Sequence, residues 1–342
     1  MKEYPFRFVI LDEAQNIKNA GSVAAQAVKQ LQADTRFALT GTPMENGVGE
    51  LWSLFDFVLP GYLPGYNTFL RKYQDGENAE DLLRRIQPFL IRRLKQDVLE
   101  ELPDKTETTM TARMTPEQER IYRAALERLR PQINKLLEEK GAGRGHIEVL
   151  SAITELREIC CHPSLVMSDY RGGSGKEEML LELMPEMIRE GRRVLLFSQF
   201  TSMLKLLRIR LEESGFSTLY LDGETPAGER LTMVDRFNGG EGQIFLISLK
   251  AGGSGLNLTG ADMVILYDPW WNPAAEEQAT DRAHRIGQEK KVTVIRLVTG
   301  ETIEEQVVEL GARKKALFER LITPGETVLN GMSEQEIRAL FE

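Results

Sequence analysis

Four segments carry side chains suited to phosphate chemistry. The first is Ile10-Leu11-Asp12-Glu13-Ala14-Gln15, two acids directly after an apolar run. Acids at the C-terminal end of a buried strand sit where open parallel sheets bind ligands. In phosphoryl-transfer sites such an aspartate holds magnesium and its glutamate neighbour orients the attacking water. Strands also end in acids for solubility alone, so the pair draws its weight from the apolar lead-in and from Ala14-Gln15. The second segment, Ala38-Leu39-Thr40-Gly41-Thr42-Pro43, closes another apolar run about 28 positions after Asp12. Neighbouring strand ends in a parallel sheet lie side by side, which would bring Thr40 or Thr42 near Glu13 and Gln15. A plain turn punctuated by glycine and proline is the competing reading.

The third segment runs Ser248-Leu249-Lys250-Ala251-Gly252-Gly253-Ser254-Gly255-Leu256-Asn257-Leu258. Its glycines let backbone approach a phosphate or a sugar, and Lys250 adds charge. A glycine-rich turn without a ligand fits as well. The segment lacks the G-x-x-x-x-G-K-[ST] pattern of a Walker A loop.

The fourth is Asp268-Pro269-Trp270-Trp271-Asn272-Pro273, followed by Gln278, Asp281, Arg282, His284, Arg285, Gly287 and Gln288. A helix over Ala274–Ile286 would present Gln278, Arg282 and Arg285 on one face. Two arginines there can clamp a γ-phosphate and offset transition-state charge. A solvated basic face paired with Glu276, Glu277 and Asp281 is the alternative. The tandem tryptophans suit a stacking platform or, more commonly, a packing corner. A smaller signal is Arg84-Arg85…Arg92-Arg93-Leu94-Lys95, five cations in twelve residues without an acid. It reads as a phosphate-tracking patch or as a helix face neutralised by Asp97, Glu100 and Glu101.

The elements that must position these residues follow from the apolar pattern. Short runs at Phe6–Leu11, Arg36–Leu39, Arg193–Phe197, Ser217–Leu221, Gln243–Ile247, Met263–Tyr267 and Val292–Leu297 lack clean alternation. That is the profile of parallel strands buried on both faces. Helical patterns at Ser22–Leu31, Thr201–Glu213 and Ala227–Phe237 lie between them, so the architecture is α/β. From Gly65 to Met167 helix dominates, broken by Pro88, Pro103, Pro116 and Pro131, with an isolated Thr-rich strand between Leu102 and Met114.

At 342 residues, 42% hydrophobic and 28% charged, the chain can bury two cores. No run of 18 apolar residues exists, so no membrane span is expected. The N-terminus has no cleavage site of a signal peptide. The adjacent Cys160 and Cys161 cannot frame a disulfide scaffold, and with His162 they lack zinc-ligand spacing. A reducing, cytoplasmic compartment fits, nucleoid-associated if the source is bacterial. The net charge of −9 confines any nucleic-acid contact to local patches.

Taken together, DEAQNIKNA, ALTGTPMENG, LLFSQF, LDGETPAGER, SLKAGGSGLNLTGAD, LYDPWWNPAAEEQATDRAHRIGQ and VIRLVTGETIEEQV fall in the order of the Swi/Snf family of helicase-like ATPases, within superfamily 2. The chain resembles bacterial members over nearly its whole length, and the DPWWNP…DRAHRIGQ stretch is the most specific part. The resemblance implies two RecA-like lobes with parallel sheets, ATP and Mg2+ between them, and movement along double-stranded DNA. The first lobe would be incomplete, with helical insertions between the lobes. It implies that Asp12 and Glu13 hold magnesium and that Glu13 activates water. Gln15, Thr40 and Thr42 would link nucleotide state to lobe closure, with Gly255 and Asp281 also at the nucleotide. Arg282 and Arg285 would be arginine fingers, with Gln278 in the same motif. Ser198, Gln199, Arg230, Ser248, Lys250, Trp271 and Asn272 would face DNA or link it to the ATP cleft. The implied layout is 1–114 for the first lobe with a helical protrusion, 115–170 for a helical linker, 171–300 for the second lobe and 301–342 for a bracing tail.

Three departures stand out. Ala20 replaces a usual proline. Pro185 should kink or shorten the helix opening the second lobe. No Walker A loop occurs in the chain: Gly172-Gly173-Ser174-Gly175-Lys176 has the lysine, but Glu177 follows. Without that loop no lysine reaches the β- and γ-phosphates. The first sheet would also show an exposed apolar edge. The expectation is the C-terminal two-thirds of a longer family member, inactive as an ATPase until a flanking segment or partner protein supplies the loop. The alternative is a non-hydrolysing fragment that binds DNA or a protein.

Overall fold

The computed structural model describes residues 4–41, 48–74, 78–91, 93, 102–140, 146–252, 255–270, 273–310, 338 and 340–341. The chain divides into two compact units, whose described residues fall within Met1–Arg92 for the first and within Arg93–Ala312 and Ser333–Glu342 for the second.

In the first unit β1 (Phe6–Leu11) pairs in parallel with β2 (Ala33–Ala38), with Leu11 opposite Ala38. The linking helix α1 (Val23–Lys29) starts where the Ser22 side chain accepts a hydrogen bond from Ala25 N–H, which caps an otherwise unpaired donor. One face of the sheet, through Val9, Leu11 and Ala38, packs on Ala14, Ile17, Ala25, Leu54 and Phe57. Leu54 and Phe57 come from α2 (Val48–Val58). Further helices, α3 (Tyr66–Tyr73) and α4 (Ala79–Ile86), join α2 around Leu51, Phe55, Phe69, Tyr73 and Ile86. The expectation of strands buried on both faces fails here. Phe8, Ile10, Phe37 and Leu39 are exposed, because the described helices cover only one side of the two strands.

The second unit is a six-stranded, all-parallel sheet in the order β3-β8-β7-β4-β6-β5. Its strands are β3 (Lys105–Ala112), β4 (Val194–Ser198), β5 (Thr218–Leu221), β6 (Ile244–Ser248), β7 (Met263–Leu266) and β8 (Val292–Thr299). Alternate residues divide between two cores, as a period of two requires. Leu196, Leu246 and Ile265 face α7 (Gly175–Arg189) and α8 (Thr201–Glu213). Phe197, Phe245 and Val264 face Val234 and Phe237 of α9 (Ala227–Asn238). Each such side chain contributes roughly 1.5–3 kcal/mol by leaving water, so the central strands anchor everything at their ends.

Two sequence expectations are corrected here. The Thr-rich strand is not isolated, nor does it belong with the first lobe as the 1–114 layout had it: β3 pairs with β8 along its length, Lys105 opposite Val292 and Ala112 opposite Thr299. A strand of eight residues needs partners for its backbone groups, and β8 presents a free edge of matching length. The prolines break less than expected. Helix α5 (Pro116–Lys140) runs through Pro131, and α7 runs through Pro185 to Arg189. Each proline forfeits one backbone bond. In α5 the buried stripe Tyr122, Ala125, Leu129, Ile133 and Leu137 offsets that cost by packing on α6 (His146–Cys161).

Gln118 ties this helical part together. Its backbone N–H donates to Thr115 Oγ1, and its side-chain Oε1 accepts from Thr115 N–H, a reciprocal cap. The same side chain donates to the carbonyls of Ile159 and Cys160 and accepts from Gly175 N–H at 3.0 Å. The starts of α5 and α7 and the end of α6 therefore share one buried amide.

Candidate functional site

In the first unit the acidic box lies just past β1. Glu13 has a left-handed backbone, φ 49°, a conformation that costs energy for a residue with a Cβ. The turn is held by Ala14 N–H donating to the Leu39 carbonyl and Leu39 N–H donating to the Leu11 carbonyl. The Asp12 carboxylate accepts from Glu13 N–H at 2.9 Å. A chain of side-chain bonds then crosses between the strand ends: Thr40 Oγ1 donates to Gln15 Oε1 at 2.7 Å, and Gln15 Nε2 donates to Glu13 Oε2 at 2.7 Å. Gln15 and Thr40 are thus brought together with Glu13, while Thr42 lies outside the described residues. The donor set of Asp12 and Glu13 is all carboxylate oxygen, which suits a hard ion such as Mg2+.

In the second unit the candidate residues gather at the C-terminal ends of β4, β6 and β7. Ser198 ends β4 fully buried, and its hydroxyl donates to Asp268 Oδ1 beyond β7. Gln199 N–H also donates to Asp268, at 3.2 Å to Oδ2. Burial pushes the Asp268 carboxyl upward, and Arg157 and Ser198 act against that shift. Ser248 ends β6, and its Oγ accepts from Ala251 N–H inside the short helix α10 (Leu249–Gly252), which leaves Lys250 exposed. Gly255 has a φ of +65°, a turn geometry that suits glycine. Arg230 braces a turn: it donates to the carbonyls of Thr225 and Gly223 at 2.8 and 3.0 Å. Trp271 and Asn272 lie outside the described residues, as do Arg92, Leu94 and Lys95 of the basic run. From that run, Arg85 pairs with Asp81 one helical turn earlier.

The arginine motif departs from the expected helix. α11 (Pro273–Thr280) stops two residues before Arg282, so Gln278, Arg282 and Arg285 do not share a helix face. The chain turns because other groups capture its backbone. The Arg282 carbonyl accepts from Leu258 N–H, and Gln288 Nε2 donates to the carbonyls of Thr259, Ala261 and Ala283. His284 Nε2 lies 2.7 Å from the Pro103 carbonyl at the entry to β3. Gln278 and Asp281 are half-buried, Arg282 is buried and Arg285 is exposed.

Sequence spacing pointed to none of the buried ion pairs behind these loops. Arg157 of α6 reaches Asp268 and the Pro269 carbonyl. Glu276 accepts from Trp270 N–H at 2.7 Å and pairs with Arg296 of β8 at 2.7 Å. Burial pushes its carboxyl upward, with Arg296 opposing. Lys176 pairs with Glu304, both side chains wholly buried. The lysine of the glycine-rich GGSGK stretch is therefore part of the core, bonded to Glu304 and the Tyr267 carbonyl.

Comparison with known proteins gives this arrangement its context. Residues 1–165 match the SNF2-related domain and residues 175–287 the helicase conserved C-terminal domain. The SWI2/SNF2 ATPase core of Sulfolobus solfataricus, solved in complex with double-stranded DNA, is 36% identical, with a TM-score of 0.59 over 100% of this chain and 74% of that one. This chain belongs to the SWI2/SNF2 family of helicase-like ATPases. An ATP-dependent helicase of Mycoplasma pneumoniae, itself uncharacterised, is 36% identical over 98% of this chain and 32% of its own length. The ISWI chromatin-remodeling complex ATPase CHR11 of Arabidopsis thaliana is 38% identical over 95% of this chain and 32% of its own. The chain thus spans about a third of the length of these relatives. No helix among the described residues is long and apolar enough to cross a membrane.

Proposed function

We propose that this chain supplies most of the motor of an ATP-dependent double-stranded DNA translocase. The observation that carries the reading is 36% identity along the whole chain to a SWI2/SNF2 core solved on duplex DNA. Asp12 and Glu13 would hold Mg2+, which would neutralise phosphate charge when bound with ATP. Glu13 would orient the attacking water and take its proton. The hydrogen-bonded run Glu13–Gln15–Thr40 would report the state of the nucleotide to the neighbouring strand end. Arg282 and Arg285 would meet the charge that builds on the transferring phosphate. Gln199, Lys250, Trp271 and Asn272 would track the DNA backbone at the C-terminal strand ends, the buried Ser198 and Ser248 would link that edge to the loops behind it, and Arg230 would shape an adjacent turn.

The sequence contains no Walker A loop, so the reading includes a second part. ATP turnover needs a flanking segment or partner that brings that loop. The test is a DNA-binding and ATPase measurement on the chain. Binding to duplex DNA should weaken steeply with salt, since phosphate contacts dominate, and ATP turnover should be absent. Salt-independent binding, or none, refutes the DNA reading. DNA-stimulated hydrolysis that vanishes with Arg285→Ala refutes the need for an added loop. Salt-dependent binding that persists without any turnover once the loop is supplied favours the non-hydrolysing alternative.

A further inference from the structure

Among the described residues, Arg157 is the largest fully buried side chain, 1% exposed, and it is not among those assigned to ATP or DNA. It comes from α6, which lies in the chain between β3 and β4, and reaches a strand-end network. Its Nη2 donates to Asp268 Oδ2 at 3.5 Å and to the Pro269 carbonyl. Its guanidinium carbon lies over two aromatic rings, 5.6 Å from that of Phe200 and 5.8 Å from that of Trp270. Phe200 follows β4 and Trp270 follows β7, which are hydrogen-bonded neighbours in the sheet. One guanidinium thus touches both segments that leave adjacent strands at the ligand-binding edge.

A buried arginine is costly for packing alone. Apolar residues of similar volume usually serve a core as well or better. The planar fork offers something methionine or lysine lacks: it can hydrogen-bond a carboxylate and a carbonyl while its face lies on aromatic rings. The partners it selects also point one way. Asp268 holds Ser198 and Gln199, and Pro269-Trp270 leads directly into Trp271 and Asn272.

We propose that Arg157 is a positioning residue for duplex DNA binding: by holding Asp268 and Pro269 and lying against Phe200 and Trp270, it sets the segment that carries Gln199 and the Pro269-Trp270 segment beside it, which in sequence precedes Trp271 and Asn272. The inference rests on the DNA reading given above for Gln199, Trp271 and Asn272. It makes the helical part a support of the binding edge, acting on DNA through other residues and touching none of it.

The test compares the chain with Arg157→Lys and Arg157→Met. Duplex affinity at fixed salt should fall about tenfold in both, because neither side chain can bond a carboxylate and a carbonyl at once while lying flat against the two rings. The slope of affinity against salt should not change, because a sealed side chain neutralises no phosphate. Loss of a direct phosphate contact would instead reduce the slope by about 0.9. In a background with Trp52→Phe and Trp271→Phe, which leaves Trp270 as the sole tryptophan, acrylamide quenching of its emission should rise in the Arg157 variants.

Lower melting temperature with unchanged affinity and unchanged quenching would overturn the proposal and leave Arg157 a stability residue. A reduced salt slope would overturn it too, as a DNA contact. If the methionine variant fails to fold, the lysine variant, which keeps the charge, carries the same test. If the unmodified chain binds no duplex, the DNA reading falls, and Trp270 quenching alone then judges Arg157: no change overturns its positioning role.

Discussion

Replacing Lys176 by methionine should destabilise the second unit strongly, and the structure indicates by how much. Lys176 Nζ lies 2.6 Å from Glu304 and donates to the Tyr267 carbonyl at 3.0 Å. Glu304 also accepts from Thr299 N–H at 2.8 Å. The contacts join the start of α7 to the ends of β7 and β8. Methionine removes the cation and leaves a carboxylate in a sealed site. Breaking one partner of such a pair costs about 3–5 kcal/mol, far more than the net worth of the pair, because the remaining charge cannot reach water. For a unit of this size that corresponds to a melting temperature lower by roughly 6–20 °C. The double variant Lys176→Met, Glu304→Gln should recover most of the loss, with a coupling of at least about 2 kcal/mol in a double-mutant cycle. Burial alone would lower the lysine pKa, but Glu304 beside it raises it above the ordinary value. The stabilisation is then fully present below the unfolded-state pKa and is lost only as pH rises through the folded one. Thermal and urea unfolding followed by circular dichroism measure it. A penalty under about 1 kcal/mol, or single-variant losses that simply add, would show that water reaches the pair and that the buried-charge argument is wrong.

Other expected outcomes concern the remaining links. Glu13→Gln, in a form that carries a Walker A loop, should keep nucleotide binding and lose hydrolysis, since an amide cannot take a proton from water; single-turnover kinetics showing substantial hydrolysis would assign the water to another group. Gly175→Ala should prevent stable folding, because a Cβ there would lie 1.7 Å from the Arg113 carbonyl oxygen; a soluble variant with an unchanged urea midpoint would contradict the close approach of α7 to the end of β3. Glu177→Gln tests a buried cluster in which His162 lies 3.1 Å and Arg210 2.9 Å from the carboxylate. Burial would raise the Glu177 pKa, yet His162 and Arg210 hold it below the ordinary value. Its contribution is therefore present above the unfolded-state pKa and lost as pH falls through the folded one. The stability gap between wild type and variant should narrow on acidification below about pH 4.3; a constant gap in urea titrations would remove the charge from the explanation.

Much of the chemistry was legible because it is local. Apolar runs ending in acids or small hydroxyl residues mark strand ends, and parallel sheets bind ligands there. The expected strands and the helices at Thr201–Glu213 and Ala227–Phe237 correspond closely to β4–β8, α8 and α9. Gln15 and Thr40, singled out from spacing, are hydrogen-bonded in the structure. The arginine motif was misjudged for a physical reason. Its 3.6-residue spacing promised one helix, but Gln288 and Leu258 offer the backbone other partners, and the chain turns after Thr280. Helical periodicity carries no information about such competitors.

What local pattern established, then, is the α/β class, the acidic box, the strand-end loops and the family. Contacts between distant residues established the rest. β3 joins the second sheet because β8 has an open edge to pair, a fact absent from the Thr-rich run itself. Arg157 meets a carboxylate 111 positions later, and Lys176 meets one 128 positions later. Whether a charged side chain is a solvated ornament or a costly buried tie depends on how much water surrounds it and which partner stands beside it. Composition and spacing specify neither quantity, and the folded packing sets both.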